Sequence, residues 1–76
     1  MLIPQDIARL ESPMLRARLT AHLLDEPRPD QSQLQEIFDH ALAELIAAGF
    51  TVAEIATGTF LEEREIRRRL LTVHGG

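Results

Sequence analysis

The chain has no cysteine, tryptophan or tyrosine, and only three phenylalanines among its 76 residues. Without cysteine there is no disulfide framework and no thiolate zinc site, and nothing in the chain requires an oxidising compartment. With 4% aromatic against 45% hydrophobic residues, the core has to be built from Leu, Ile, Ala and the three Phe. Lysine is absent as well: all 8 basic residues are arginine, a matter of codon composition to which no mechanism is attached. Long apolar runs are missing too. The longest, around "LAELIAAGF", is too short and too acidic to cross a bilayer. The opening "MLIPQDIARLES" has neither a basic leader nor a signal-peptide apolar stretch, so a cytoplasmic protein with no membrane partner is expected.

Catalytic and metal-binding patterns are equally scarce. His22, His40 and His74 are the only imidazoles, no two of them stand four residues apart, and no Cys assists them, so no metal site is expected. His22 lies near the apolar edge of its helix, where packing or hydrogen bonding is the ordinary role, and His40 beside Asp39 should face solvent. No Ser-His-Asp or phosphate-loop pattern occurs, and the 4 glycines fall at caps and turns. At this length there is room for one domain with a modest core and little room for a water-excluding pocket. Neither enzymatic activity nor a cofactor is expected.

What is present is helical. "MLIPQDIARL" suits a short helix with Pro4 in its first turn. In "SPMLRARLTAHLLDE", Ser12 fits an N-cap and Pro13 the first helical position, with Met14, Leu15, Leu19, Leu23 and Leu24 as the apolar face. Pro27 and Pro29 then break the chain. Ser32 and Gln35 have capping-box spacing, and Leu34, Ile37, Phe38, Ala41, Leu42, Leu45 and Ile46 form a wide buried stripe that ends at Gly49. Two further capping boxes, Thr51 with Glu54 and Thr59 with Glu62, predict a short helix over residues 52–57 and a longer one over 60–73. The terminal "HGG" should fray. The expectation is one all-α domain, a compact bundle of four to five short helices. It divides into an N-terminal hairpin (1–26), a central helix (31–48) and a helix-turn-helix-like pair (51–73).

The stretch "EIATGTFLEEREIRRRL" resembles the helix-turn-helix segments of bacterial and phage transcriptional regulators. Ile55 and Ala56 match the first helix, Leu61 the apolar residue after the turn, and Ile66 and Leu70 the buried positions of the recognition helix. Those segments usually carry Gly four residues beyond the alanine, where this chain has Phe60. Gly58 comes two positions earlier, so the turn has to be rebuilt. The resemblance covers a quarter to a third of the chain, and implies a small DNA-binding regulator of bacterial, plasmid or phage type, acting as a homodimer on two half-sites.

Charge weighs on both sides of that implication. Residues 1–48 hold 4 Arg against 8 acidic residues, and residues 49–76 hold 4 Arg against 4 Glu. A net charge of −4 is unusual for a nucleic-acid binder, whose affinity comes largely from phosphate neutralisation. On a helical projection Ile66, Leu70 and Val73 share one face. Arg64, Arg67 and Arg68 lie opposite, with Leu71 among them and Arg69 on the flank. Thr59, at the helix start, joins these three arginines as a candidate DNA contact. The same arginines also stand in order for intrahelical pairs, Glu63–Arg67, Glu65–Arg69 and Glu65–Arg68, which would make this an ordinary solvated helix.

The competing reading is a helical protein-interaction module, an adaptor or inhibitor. Asp25, Glu26, Asp30, Glu36, Asp39 and Glu44 could form a negative face for a basic partner. The "GFT" turn at 49–51, followed by a short and a longer helix, also resembles ubiquitin-associated three-helix modules, which bind proteins through that turn. Surplus apolar residues in the first two helices point to self-association.

Overall fold

The computed structural model describes residues 3–74, with side chains described to residue 71. Among these residues five helices follow one another: α1 (Pro4–Ala8), α2 (Pro13–Leu24), α3 (Gln31–Ala47), α4 (Val52–Thr59) and α5 (Glu63–His74). No strand occurs among the described residues, and the all-α bundle expected from the periodicity is what forms. Leu2, the Val73 and His74 side chains and the terminal glycines lie outside the described set.

Starts and stops follow local chemistry, with two exceptions. The Ser12 hydroxyl accepts from the Leu15 N–H at 3.2 Å, and Pro13 opens α2. Thr51 and Glu54 close a reciprocal box, their side chains accepting from each other's backbone N–H at 3.1 and 2.9 Å. The Ser32–Gln35 box does not form. Instead, the N-cap position falls two residues earlier, at Asp30, whose carboxylate is held by the Arg28 guanidinium at 2.8 Å and so caps nothing. The second exception is Thr59. It is the last residue of α4, buried, with its hydroxyl donating to the Ile55 carbonyl at 2.7 Å, and α5 starts only at Glu63.

Two helix ends are closed in the same way. After α3, Gly49 takes φ +98° and the Phe50 N–H reaches the Leu45 carbonyl at 3.0 Å. After α4, Phe60 takes φ +62° and the Leu61 N–H reaches the Ala56 carbonyl at 3.1 Å. Both are left-handed C-terminal caps, one built with the residue suited to them and one with a bulky aromatic. The turn is therefore not rebuilt around Gly58, which stays inside α4. Gly58 has another use: a Cβ there would collide with the Met14 thioether, so its bare Cα is where α2 seats against α4.

The core brings α2, α3, α4 and α5 together through Ala17, Ala21, Phe38, Ala41, Leu42, Leu45, Ile55, Ala56 and Ile66. The most extensive packing is α2 on α3. Here the expected leucine face of α2 is corrected. Its innermost residues are Ala17, Thr20 and Ala21; Met14 and Leu24 flank the core, whereas Leu15 is exposed and Leu19 and Leu23 are only half-buried. Small side chains let two helix backbones approach closely, and the leucines are too large for that seam. On α3, Leu34, Phe38, Ala41, Leu42 and Leu45 are buried, but Ile37 is half-buried and Ile46 exposed, so the stripe is narrower than its sequence spacing implies. Among the described residues α2 and α5 make no close backbone approach, which leaves a gap over α3.

Candidate nucleic-acid interface

α5 is anchored from one side. Ile66 is fully buried, Leu61 and Leu70 pack against the core from its edge, and Arg69 forms an ion pair with Asp39 of α3 at 3.2 Å. The Arg69 guanidinium also lies 5.4 Å from the centre of the Phe38 ring. Arg69 therefore ties α5 to α3 instead of pairing with Glu65 as its spacing implied. Burial raises the Asp39 carboxyl above its ordinary range, and the attraction of Arg69 only partly opposes this.

The opposite side of α5 is open. The side chains of Arg64, Arg67 and Arg68 are 87, 65 and 70% exposed. Leu71, 74% exposed, stands among them. These four residues follow the i, i+3, i+4, i+7 spacing of a single helical stripe. Thr59 does not join them, because its hydroxyl is buried and engaged within α4.

Each of the three arginines already has a carboxylate neighbour. Arg64 meets Glu62 at 3.1 Å, Arg67 meets Glu63 at 3.2 Å and Arg68 meets Glu65 at 2.6 Å. Two of these pairs follow from spacing along the helix; Glu62–Arg64 does not, because Glu62 precedes the helix. All three are solvent-exposed pairs of the kind that exchange readily for other partners.

Three of the six acidic residues of the candidate negative face are held by arginines. Asp30 is held by Arg28, Glu44 by Arg16 at 2.6 Å, and Asp39 by Arg69. The hydrogen bond from Arg28 holds the Asp30 carboxyl below its ordinary range. His22 is exposed rather than a packing residue, and His40 is exposed, 3.8 Å from Glu44. Among the described residues no cluster of His, Cys, Asp or Glu is placed to hold a metal, and no helix is long and apolar enough to cross a membrane.

Phe60 is the residue that helical spacing could not single out. The residue is 80% exposed at the head of the turn, and the Arg18 guanidinium lies over its ring, 5.2 Å from the centroid. The signal was available in a different form: a non-glycine residue four positions beyond Ala56, where the resembling segments place glycine. No protein-family model, curated protein or solved structure matches this chain.

Proposed function

We propose that the protein is a small DNA-binding regulator that reads DNA with α5. The supporting observation is the backbone of the α4–α5 pair. An eight-residue helix ends in a left-handed residue at the fourth position beyond Ala56, and Ile55, Leu61 and Ile66 are turned inward. This leaves Arg64, Arg67, Arg68 and Leu71 projecting together from the helix that follows. In a major groove, arginines on such a stripe donate to phosphates or to guanine edges, and an apolar side chain meets thymine methyls.

A single head of this size offers few groups to the duplex, so two copies on two half-sites are part of the proposal. Binding requires Arg64, Arg67 and Arg68 to exchange Glu62, Glu63 and Glu65 for phosphate oxygens.

The test is the salt dependence of affinity for a duplex pool enriched on the protein itself. Affinity should fall steeply with salt, and the Arg64→Ala/Arg68→Ala double variant should flatten the log–log slope by about 0.9 for each phosphate that is no longer neutralised. Salt-independent or absent binding rejects the reading. One observation favours a helical protein-interaction module instead: every outward arginine of α5 is paired with a glutamate, in a chain of net charge −4. Under that reading the wild-type protein shows no salt-dependent DNA affinity.

A further inference from the structure

Phe60 combines a strained backbone with an exposed side chain. Its φ of +62° lies in the left-handed region, which a bulky side chain occupies only against strain. The residue is also 80% exposed, so little burial within the chain offsets that strain. Strain at an exposed aromatic belongs to contact sites, where the conformation aims the side chain outward.

Beside the ring the surface is concave. A shallow hollow of about 100 Å³ is lined by Ala21, His22, Asp25, Thr59, Phe60 and Leu61. A larger one of about 230 Å³ continues from it across the gap between α2 and α5, with Leu24, Phe38 and Leu61 among its apolar residues. Ala21, Asp25 and Leu61 line both, so protruding ring and hollow belong to one continuous patch. Around the larger hollow stand Asp25 and Glu65 as well as Arg68 and Arg69, carboxylates and guanidiniums together.

We propose that this patch pairs with the same patch of a second copy, the Phe60 ring of each chain entering the hollow beside Leu61 of the other. Knob and hole on one patch are what a two-fold interface needs, because a single rotation then satisfies both contacts. Had they lain on separate faces, the contact would have been head-to-tail, giving a ring or an open chain instead of a two-fold dimer. Charges of both signs on the patch let it face itself without net repulsion. Arg18, stacked on the ring and bonded to the Gly58 carbonyl at 2.7 Å, holds the knob in position before the partner arrives.

Sedimentation equilibrium of the full chain, without DNA, tests the pairing. The mass should rise from one chain of 8.6 kDa to two between low and high micromolar concentration. Phe60→Gly should weaken the dimer by about tenfold or more, as removal of an aromatic anchor does. Its melting temperature at low concentration should equal or exceed that of the wild type, since glycine adopts the left-handed conformation without strain. Phe60→Asn, which also tolerates that conformation, should lose the dimer in the same way, and Gln35→Trp, which fills the hollow from its rim, should do so with the ring intact. A wild-type chain that stays monomeric overturns the proposal. So does a dimer indifferent to all three substitutions, open-ended growth, or association that appears only when duplex is added. The measurement uses no DNA, so the pairing can fail while the α5 reading stands and the reverse, although Arg68, at the rim of the hollow, belongs to both.

Discussion

The Arg18 guanidinium lies over the Phe60 ring while its Nε donates to the Gly58 carbonyl at 2.7 Å, so one side chain of α2 secures both the end of α4 and the turn after it. The carbonyl belongs to the last turn of α4, where intrahelical donors run out and a cation is favoured by the helix dipole. Losing a charged donor from a part-buried carbonyl costs about 1.5–3 kcal/mol, and an exposed cation–π interaction about 0.5–1 kcal/mol. Arg18→Ala should therefore destabilise the fold by about 2 kcal/mol in urea melts. A double-mutant cycle with Phe60→Leu would isolate the ring's share, expected to be the smaller one. A cycle that assigns the whole effect to Phe60 contradicts the leading role of the Gly58 carbonyl.

α2 makes a prediction that reverses the usual ranking of side chains. Ala17 is fully buried at the seam with α3, whereas Leu15 is exposed. Ala17→Leu should cost about 1–3 kcal/mol or more, because the helices must separate to admit it. Leu15→Ala should cost less than the roughly 2–5 kcal/mol of a core leucine, since Leu15 is 37% exposed and stands outside the core cluster. Paired thermal melts of the two variants check the order directly.

The same helix shows where sequence reasoning reaches its limit. Periodicity locates apolar residues on a face, and it located all five helices, because Ser12, Pro13, Thr51, Glu54 and Gly49 act through neighbours within a few residues. It cannot tell which face of α2 is inward. Leucines and alanines both read as apolar, and the choice depends on how closely α3 approaches. The turn departs from expectation for a related reason. Gly58 has the composition of a residue that reverses the chain, but its missing Cβ accommodates Met14, a residue more than forty positions away in sequence. The left-handed position then falls to Phe60, α4 runs on to Thr59, and Thr59 is buried. The outward set Arg64, Arg67 and Arg68 is legible because it depends only on the helical repeat and on Ile66 facing inward.

α3 carries the fold, and Leu42 is its plainest probe. It is fully buried among Ala17, Phe38, Leu45 and their neighbours in the core cluster. Leu42→Ala should cost about 2–5 kcal/mol. Domains of this size have only a few kcal/mol in reserve, so the variant should be largely unfolded at physiological temperature. Circular dichroism would show it, and an unchanged melting temperature would contradict the central place given to this helix.

Asp39 makes the least intuitive prediction. A bridge between two partly buried side chains, 3.2 Å from carboxylate to guanidinium, would ordinarily be counted as stabilising. Yet the Asp39 carboxyl is raised above its ordinary range, because burial disfavours its charge more than Arg69 favours it. A raised carboxyl means that the folded chain binds the proton more tightly than the unfolded one. Its contribution is therefore full below the unfolded value, about 3.9, and is lost as pH rises through the folded value. Asp30 runs the other way. Its lowered carboxyl contributes above that unfolded value and loses its contribution as pH falls towards its own folded value. The two effects thus act on opposite sides of about pH 4. Asp39→Asn resembles the protonated side chain in shape and charge, so at neutral pH it should be tolerated, well short of the roughly 3–5 kcal/mol expected when a fully buried bridge is broken. Melting temperatures of wild type and Asp39→Asn measured from neutral pH down to about pH 4 should diverge, the wild type gaining on the variant as Asp39 takes up its proton. If the variant is strongly destabilised at neutral pH and the gap closes upon acidification only because the wild type falls, the bridge outweighs desolvation, and Asp39–Arg69 is a strut that fixes α5 on α3.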